Sequence, residues 1–287
     1  MSALAYTTLI DVESLKRLLG APTLAILDCR FDLRSPQAGK AAFLAAHIPG
    51  ARFADLNTDL AGAVTAHSGR HPLPPPDVFA DRLGWLNVGN ECQVVAYDES
   101  NGSFAARAWW MLRWLGHFDV AVLDGGFQAW VGAGGALQAG EPPPGSRHFT
   151  PQGDHKAVLG SEQVAAALKD SQHLLVDARA AERYAGTVEP LDSVAGHVPG
   201  AVNHPFSGNL ASDGRFLPSE ELRRRWDARL AGISPGKVIA MCGSGVTACH
   251  NLLSLELAGP SGAKLYAGSW SEWIRDPSRP VAVGKDP

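Results

Sequence analysis

The residues best suited to do chemistry lie in the segment VIAMCGSGVTACHNLL, residues 238–253. Cys242 follows a short apolar run that is typical of a buried strand, and apolar residues at helical spacing follow from Val246 onward. Gly243 and Gly245 let the chain turn sharply, so that backbone N–H groups at the start of the helix can face one point. Such a turn binds anions and favours an ionised thiol. The segment therefore predicts Cys242 as a nucleophile.

The same turn resembles two other anion-binding motifs. Gly243, Gly245 and Ala248 fill the positions of a dinucleotide-binding fingerprint, which also needs an acidic residue about 20 positions later. Residues 263–266 read AKLY there, with no acid. A cysteine phosphatase needs an arginine at the end of the loop to bind phosphate oxygens, and that position is Ala248. Both alternatives are therefore disfavoured.

The chain contains one pattern of motifs twice. The segments LAILDCR and AAHIPGARF in the first half are repeated as HLLVDAR and AGHVPGAVN in the second. Asp28 and His47 are 19 positions apart, and Asp177 and His197 are 20 positions apart. In each copy, short apolar runs lie between stretches with helical periodicity. This alternation predicts an α/β fold, with a mainly parallel sheet flanked by helices in each copy.

The repeat predicts two domains, residues 1–137 and residues 158–287. Residues 138–157 contain four prolines and three glycines, which is typical of a linker. In the first copy, the segment VVAYDESNGSFAA places Asp98 where the second copy has Cys242. A carboxylate has no sulfur and is a weak nucleophile, so we expect the first domain to be non-catalytic.

Composition excludes several classes of protein. The 287 residues are 45% hydrophobic, and no apolar run approaches the length of about 20 residues that spans a bilayer. Because 25 Lys and Arg face 29 Asp and Glu, we expect no nucleic-acid partner. We find no export signal at the N-terminus and expect a cytoplasmic protein. Its four scattered cysteines should be thiols without the paired spacing of a metal site: Cys29, Cys92, Cys242 and Cys249.

Three motifs resemble one family. FLAAHIPGARF (residues 43–53), CGSGVTA (242–248) and AKLYAGSWSEW (263–273) resemble the tandem-domain sulfurtransferases of the rhodanese superfamily, and within it those that use 3-mercaptopyruvate. The resemblance implies two rhodanese-like domains and a Cys242 persulfide formed from mercaptopyruvate with release of pyruvate. It also implies a thiol or cyanide as sulfur acceptor, such as a small thiol or a thioredoxin-like protein, and no further cofactor.

The resemblance implies roles for residues around the nucleophile. Arg183 would hold the substrate carboxylate, while Asp192 stands where the family has a second arginine for this purpose. Ser244 and His47 would move a proton, and no acidic partner of His47 is evident. The loop backbone would bind the substrate through Gly243, Gly245, Val246 and Thr247.

Two alternatives stay open. The first is a thiosulfate:cyanide sulfurtransferase, whose family members generally carry cationic residues directly after the cysteine, where this chain has Gly243 and Ser244. The second is a persulfide carrier or binding module that does not turn over. Asp192 in place of an arginine leaves the choice of donor undecided.

Overall fold

The computed structural model describes residues 5–99, 101–153, 156–170, 172–259 and 262–287. The chain forms two compact units. Unit 1 contains the described parts of residues 1–62 and 74–155, together with Asp213–Arg215. Unit 2 contains Ala63–Leu73, the described part of residues 156–212, and Phe216–Pro287. Residues 63–73, which the repeat places in the first domain, thus belong to unit 2.

Unit 1 is built on five parallel strands in the order β1-β5-β4-β2-β3. The strands are β1 (Leu9–Ile10), β2 (Leu24–Asp28), β3 (Ala51–Phe53), β4 (Gln93–Tyr97) and β5 (Val120–Leu123). The helices are α1 (Val12–Leu18), α2 (Ala38–Ala45), α3 (Pro76–Trp85), α4 (Ala105–Trp114) and α5 (Gly126–Gly132). The carboxylate of Asp11 caps α1 by accepting a hydrogen bond from the N–H of Ser14 at 2.8 Å.

Unit 2 repeats this topology with parallel strands in the order β6-β10-β9-β7-β8. The strands are β6 (Val158–Leu159), β7 (Leu174–Asp177), β8 (Val202–Asn203), β9 (Val238–Met241) and β10 (Lys264–Tyr266). The α-helices are α6 (Ser161–Ala167), α7 (Ala181–Tyr184), α8 (Ser219–Leu230), α9 (Thr247–Ala258) and α10 (Ser269–Trp273). Short 3₁₀ turns occupy Phe206–Asn209 and Pro235–Lys237. The predicted α/β fold class is confirmed.

Each unit has its own apolar core. In unit 1, Leu15, Val95 and Trp130 are fully buried in one cluster. In unit 2, the corresponding cluster includes Ile239 and Trp270. The middle strands β4 and β9 are apolar because a parallel sheet is covered on both faces. Among the described helices, none combines the length and hydropathy needed to cross a membrane.

Candidate active site

The loop between β9 and α9 spans residues 242–246 and turns at Gly245. Gly245 has φ +77°, and a Cβ atom there would lie 2.3 Å from the carbonyl oxygen of Ala267. Glycine is therefore required at this position. Val246 is buried and α9 begins at Thr247, so the first N–H groups of the helix have no acceptor within it. The predicted strand–turn–helix around Cys242 is present in the structure.

The turn between β10 and α10 fixes this loop. The N–H of Trp270 donates to the carbonyl of Cys242 at 3.0 Å, and the N–H of Ser271 donates to the carbonyl of Gly243 at 2.9 Å. The N–H of Cys242 donates to Ser269 Oγ at 3.1 Å. Ser269 has φ +53°, a conformation that costs energy for a residue other than glycine. The backbone strain thus lies at the residue that holds the nucleophile's amide.

Cys242 lies at the base of the loop with 2% of its surface exposed. It directly follows Met241, which belongs to the apolar core of unit 2. Within the described parts of the chain, the N–H groups of Gly243 and Ser244 find no protein acceptor. An anion in the loop can therefore accept hydrogen bonds from them.

The other three cysteines are buried without such surroundings. Cys29, Cys92 and Cys249 are each at most 1% exposed, and all four cysteines are free thiols. Burial raises the pKa of the Cys29 and Cys92 thiols, which keeps both protonated. The Cys249 thiol donates to the carbonyl of Gly245 at 3.3 Å. These three side chains fill core positions.

Ser244 of the loop is hydrogen-bonded to a histidine that the motifs did not indicate. Ser244 Oγ lies 2.8 Å from His71 Nδ1, and both residues are buried. His71 belongs to residues 63–73. This segment is part of unit 2, although in the chain it lies between two stretches of unit 1. The sequence does carry a signal for this histidine. Arg70 and His71 are two adjacent polar residues between Gly69 and Pro72, in a loop without apolar periodicity, and such loop residues often have a functional role.

His47, the histidine expected to move a proton, packs inside unit 1. This residue lies in unit 1, is fully buried, and has Nδ1 2.8 Å from the carbonyl oxygen of Phe43. Its ring stacks on the ring of Phe43 with a centroid distance of 4.1 Å. His197 makes the same pair of contacts with Tyr184 in unit 2, at 2.9 Å and 3.9 Å. The two histidines thus occupy matching positions of the repeat and make matching contacts.

Two guanidinium groups lie beside Gly243. A Cβ atom at Gly243 would lie 3.0 Å from Arg70 Nη2 and 3.5 Å from Arg183 Nη1 and Nη2. The structure therefore places Arg183 at the nucleophile's loop, next to a second arginine that the sequence analysis missed. Glycine at position 243 lets these cations approach the loop closely.

Two buried carboxylates hold the guanidinium groups. Arg183 Nη2 donates to Glu189 Oε1 at 2.8 Å and to Asp192 Oδ2 at 3.0 Å. Asp192 also accepts a hydrogen bond from Arg70 Nη1. The side chains of Glu189 and Asp192 are each 4% exposed, whereas those of Arg70 and Arg183 are 28% and 17% exposed. The acids thus lie behind the cations.

The two carboxylates have opposite pKa shifts. Burial raises the pKa of Asp192 above its usual value, and Arg70 and Arg183 counteract this only in part, while Glu189 adds to it. Burial also acts to raise the pKa of Glu189. Hydrogen bonds from Arg183 and from the N–H groups of Leu191 and Asp192 outweigh it, so that the pKa of Glu189 is lowered. Glu189 is therefore the more firmly ionised partner.

This arrangement suits covalent chemistry on a small anion. Cys242 offers a sulfur nucleophile, and the loop N–H groups offer donors for a negative charge. Ser244 and His71 can move a proton, and Arg70 and Arg183 can hold an anionic group of a substrate.

Comparison with known proteins gives close matches along the whole chain. "Probable 3-mercaptopyruvate sulfurtransferase" of Pseudomonas aeruginosa is 49% identical over 278 residues, which cover 96% of this chain and 98% of that protein. Thiosulfate sulfurtransferase of Bos taurus is 36% identical over 282 residues, covering 95% and 93%. The crystal structure of SseA from Escherichia coli, a 3-mercaptopyruvate sulfotransferase, has a TM-score of 0.79 and 33% identity, covering 93% of this chain and all of that one.

The family model described as the Rhodanese-like domain matches twice, over residues 11–133 and 161–276. Each segment contains four of the five strands of one sheet, all but β1 and β6, and the strands of the two sheets follow one order. The chain therefore belongs to the rhodanese family and carries two rhodanese-like domains.

Proposed function

We propose that this protein is a sulfurtransferase that takes sulfur from 3-mercaptopyruvate onto Cys242, releases pyruvate, and passes the sulfur to a thiol or to cyanide. The observation that carries the proposal is that two guanidinium groups lie beside the residue that follows the nucleophile. A Cβ atom built on Gly243 would be within 3.5 Å of both Arg70 and Arg183. A donor with a sulfur at one end and a carboxylate at the other matches this pairing. The names of the relatives from Pseudomonas aeruginosa and Escherichia coli support the same donor.

The first step is attack of the Cys242 thiolate on the thiol sulfur of mercaptopyruvate. A sulfur–sulfur bond forms, the carbon–sulfur bond of the donor breaks, and its electron pair leaves with the carbon as the enolate of pyruvate. Protonation of that carbon gives pyruvate, and the proton balances the one carried by the donor thiol. The N–H groups of Gly243 and Ser244 stabilise the anionic outer sulfur of the persulfide.

Ser244 and His71 supply the proton transfer in this step. Their hydrogen bond of 2.8 Å joins a hydroxyl two residues from the nucleophile to an imidazole, a group that can accept and return a proton. We assign this role to His71 in place of His47. Val246 and Thr247 contribute to substrate binding through the backbone at the start of α9.

The second step returns Cys242 to its thiolate. A thiolate acceptor attacks the outer sulfur of the persulfide, and the bond between the two sulfur atoms breaks. A small thiol or a thioredoxin-like protein is the proposed acceptor, and a reducing compartment such as the cytoplasm keeps both it and Cys242 in the thiol form. The persulfide is the sulfur carrier, so the proposed reaction needs no other cofactor.

A thiosulfate:cyanide sulfurtransferase is the second candidate, favoured by the 36% identity to the Bos taurus enzyme. Thiosulfate is a dianion and gains most from a site with excess positive charge. Here Glu189 and Asp192 offset the charges of Arg183 and Arg70. This balance suits the single carboxylate of mercaptopyruvate better.

Turnover with each donor tests the proposal. Purified protein with mercaptopyruvate and a thiol acceptor should release many equivalents of pyruvate, and more rapidly than it transfers sulfur from thiosulfate. A stoichiometric release that stops after one equivalent would instead indicate a carrier module.

Intact mass after incubation with the donor tests the role of Cys242. The wild type and a Cys92→Ala control should gain the mass of one sulfur atom, and Cys242→Ser should gain none. Sulfur loading of Cys242→Ser equal to that of the wild type would contradict the proposal.

A further inference from the structure

We infer that unit 2 carries an anion site apart from the Cys242 loop, in a cavity beside α8, and that its ligand is a small molecule with a phosphate group. The cavity has a volume of about 530 Å³, which is the size of a small-molecule site. Its lining includes three arginines of α8 and one histidine: Arg224, Arg225, Arg229 and His204. None of these residues has a role in the proposed sulfur transfer, and the two proposals are independent.

The three arginines leave an excess of positive charge at the cavity. Glu221, one turn earlier on α8, accepts hydrogen bonds from Arg224 Nε at 2.9 Å and from Arg225 Nε at 2.7 Å. These bonds lower the pKa of Glu221 to about 2, so it is ionised and offsets one of the three charges. Among the described residues, the guanidinium group of Arg229 has no acceptor. Two positive charges therefore remain for a ligand, which matches a phosphate dianion.

A chain of hydrogen bonds fixes the imidazole of His204 at the cavity. Asn251 Nδ2 donates to the carbonyl of His204 at 2.9 Å, so Asn251 Oδ1 is the acceptor for Asn209 Nδ2 at 2.8 Å. Asn209 Oδ1 therefore faces His204 Nε2, at 3.0 Å, and accepts a hydrogen bond from it. His204 is only 7% exposed, and its Nδ1 has no partner among the described residues. This ring nitrogen is thus left for a ligand in the cavity.

The charge state of this imidazole selects the ligand. Burial lowers the pKa of His204, and the charges of Arg229 and Arg225 lower it further, which outweighs the hydrogen bond to Asn209. The neutral ring carries its proton on Nε2 and offers Nδ1 as an acceptor. A ligand must therefore bring negative charge for the arginines and a hydrogen for Nδ1. A phosphate group can supply both, because its last proton has a pKa of about 6, whereas sulfate has no proton to donate.

The charge pattern favours a small ligand over a nucleic acid or a membrane. The three arginines lie within about two turns of one helix, and the exposed Asp227 lies among them in the sequence. The whole chain has a net charge of −4. Binding along a nucleic acid or to an anionic bilayer needs a more extended basic surface. A cavity with a recessed imidazole needs only one phosphate group.

Titration with inorganic phosphate tests the inference. The amide NMR signals of residues 224–229 are the readout, because they report this site separately from any anion at the Cys242 loop. They should shift in a saturable way, and sulfate should bind about 5-fold more weakly because it lacks the proton for His204. Glycerol phosphate, titrated in parallel, shows whether a phosphate ester or free phosphate is the better ligand. No saturable shift with either would overturn the inference, as would equal affinity for sulfate or a response only to vesicles that contain phosphatidic acid.

Two arginine variants of α8 test whether the cavity is the site. Arg229→Met should raise the dissociation constant for phosphate about 10-fold, because a charge-assisted hydrogen bond is lost. Arg223→Met removes the same charge from a residue of α8 that does not line the cavity, and should change the constant by less than about 2-fold. Equal weakening in both variants would overturn the inference. Cys242→Ser should bind phosphate at α8 as the wild type does, and loss of the α8 shifts in this variant would overturn the inference by placing the anion at the sulfur-transfer site.

Discussion

Asp98 in unit 1 and Cys242 in unit 2 occupy the same place in the same topology, directly after the middle strand of each sheet. Asp98 accepts hydrogen bonds from the N–H of Gly102 at 2.9 Å, of Phe104 at 2.7 Å and of Ala105 at 2.8 Å. The turn in unit 1 therefore binds a carboxylate of its own chain. In unit 2, the N–H groups of Gly243 and Ser244 have no acceptor among the described residues, so they can bind an external anion.

The backbone frame around the two positions is the same. The N–H of Phe127 donates to the carbonyl of Asp98 at 2.9 Å in unit 1, and the N–H of Trp270 donates to that of Cys242 at 3.0 Å in unit 2. The fold thus supplies an anion-binding turn in both copies. In unit 1 the side chain at the start of the turn binds the turn's own N–H groups, whereas in unit 2 the residue at that place is the proposed nucleophile.

The largest expected effect comes from giving unit 2 the acid of unit 1. Cys242→Asp should lower sulfur transfer by at least about 10⁴-fold because the nucleophile is lost. The new carboxylate should bind the loop N–H groups and raise the free energy of unfolding by about 1 kcal/mol. Turnover assays and urea denaturation measure the two effects, with Cys242→Ser as the variant that loses activity without the added stability. Equal stability of the two variants would show that the turns are not equivalent.

The reverse change empties the turn of unit 1. Asp98→Ala leaves three N–H groups without their charged acceptor and should destabilise unit 1 by about 3 kcal/mol. Asp81→Ala removes the same charge from an exposed position on α3 and should change stability by less than about 0.5 kcal/mol. Urea denaturation compares the two. A loss below about 1 kcal/mol for Asp98→Ala would mean that the carboxylate is not the main support of this turn.

The histidines of the two units sharpen the comparison. His71→Ala should lower the rate of sulfur transfer by about 10²-fold by removing the partner of Ser244, with little change in the midpoint of unfolding. His47→Ala should lower the midpoint of unfolding in unit 1, because a buried ring stacked on Phe43 is lost, and should leave activity per folded molecule unchanged. Stopped-flow pyruvate release and thermal unfolding separate these outcomes. The opposite pattern would restore the role first expected for His47.

The features predicted from the sequence are those that depend on neighbouring residues. The strand, the glycines and the helix around Cys242 follow one another in the chain, so local periodicity and glycine positions suffice to place them. The same holds for Asp98, which stands at the matching place of the first copy. Local patterns also indicated the α/β topology of both units.

The side chains brought from distant segments were missed for a physical reason. Arg70 and His71 belong to a loop whose contacts are with Ser244 and Ser271, more than 170 positions later, and no periodicity encodes such a pairing. His47 was chosen because it lies in a recognisable motif. Repeated motifs preserve packing positions as readily as functional ones, and the sequence pattern alone does not separate the two.

The smallest expected effect is a pH dependence of anion binding beside Cys242 in unit 2. Asp98 in unit 1 binds backbone N–H groups, whereas Asp192 in unit 2 binds the side chains of two arginines. Asp192 faces Arg70, Arg183 and Glu189, and burial raises its pKa, so it takes up a proton at a higher pH than an exposed aspartate. Protonation removes a negative charge between the two arginines. Iodoacetate carries a carboxylate and iodoacetamide does not, so the ratio of their alkylation rates at Cys242 reports anion binding beside the thiol. The ratio of iodoacetate to iodoacetamide rates at Cys242 should therefore increase about 3-fold as the pH falls through the raised pKa of Asp192.

Asp192→Asn is the control, because its side chain is neutral at every pH. In this variant the ratio should stay, at every pH, at the higher value that the wild type reaches at low pH. A ratio that varies with pH equally in the wild type and in Asp192→Asn would assign the effect to another group.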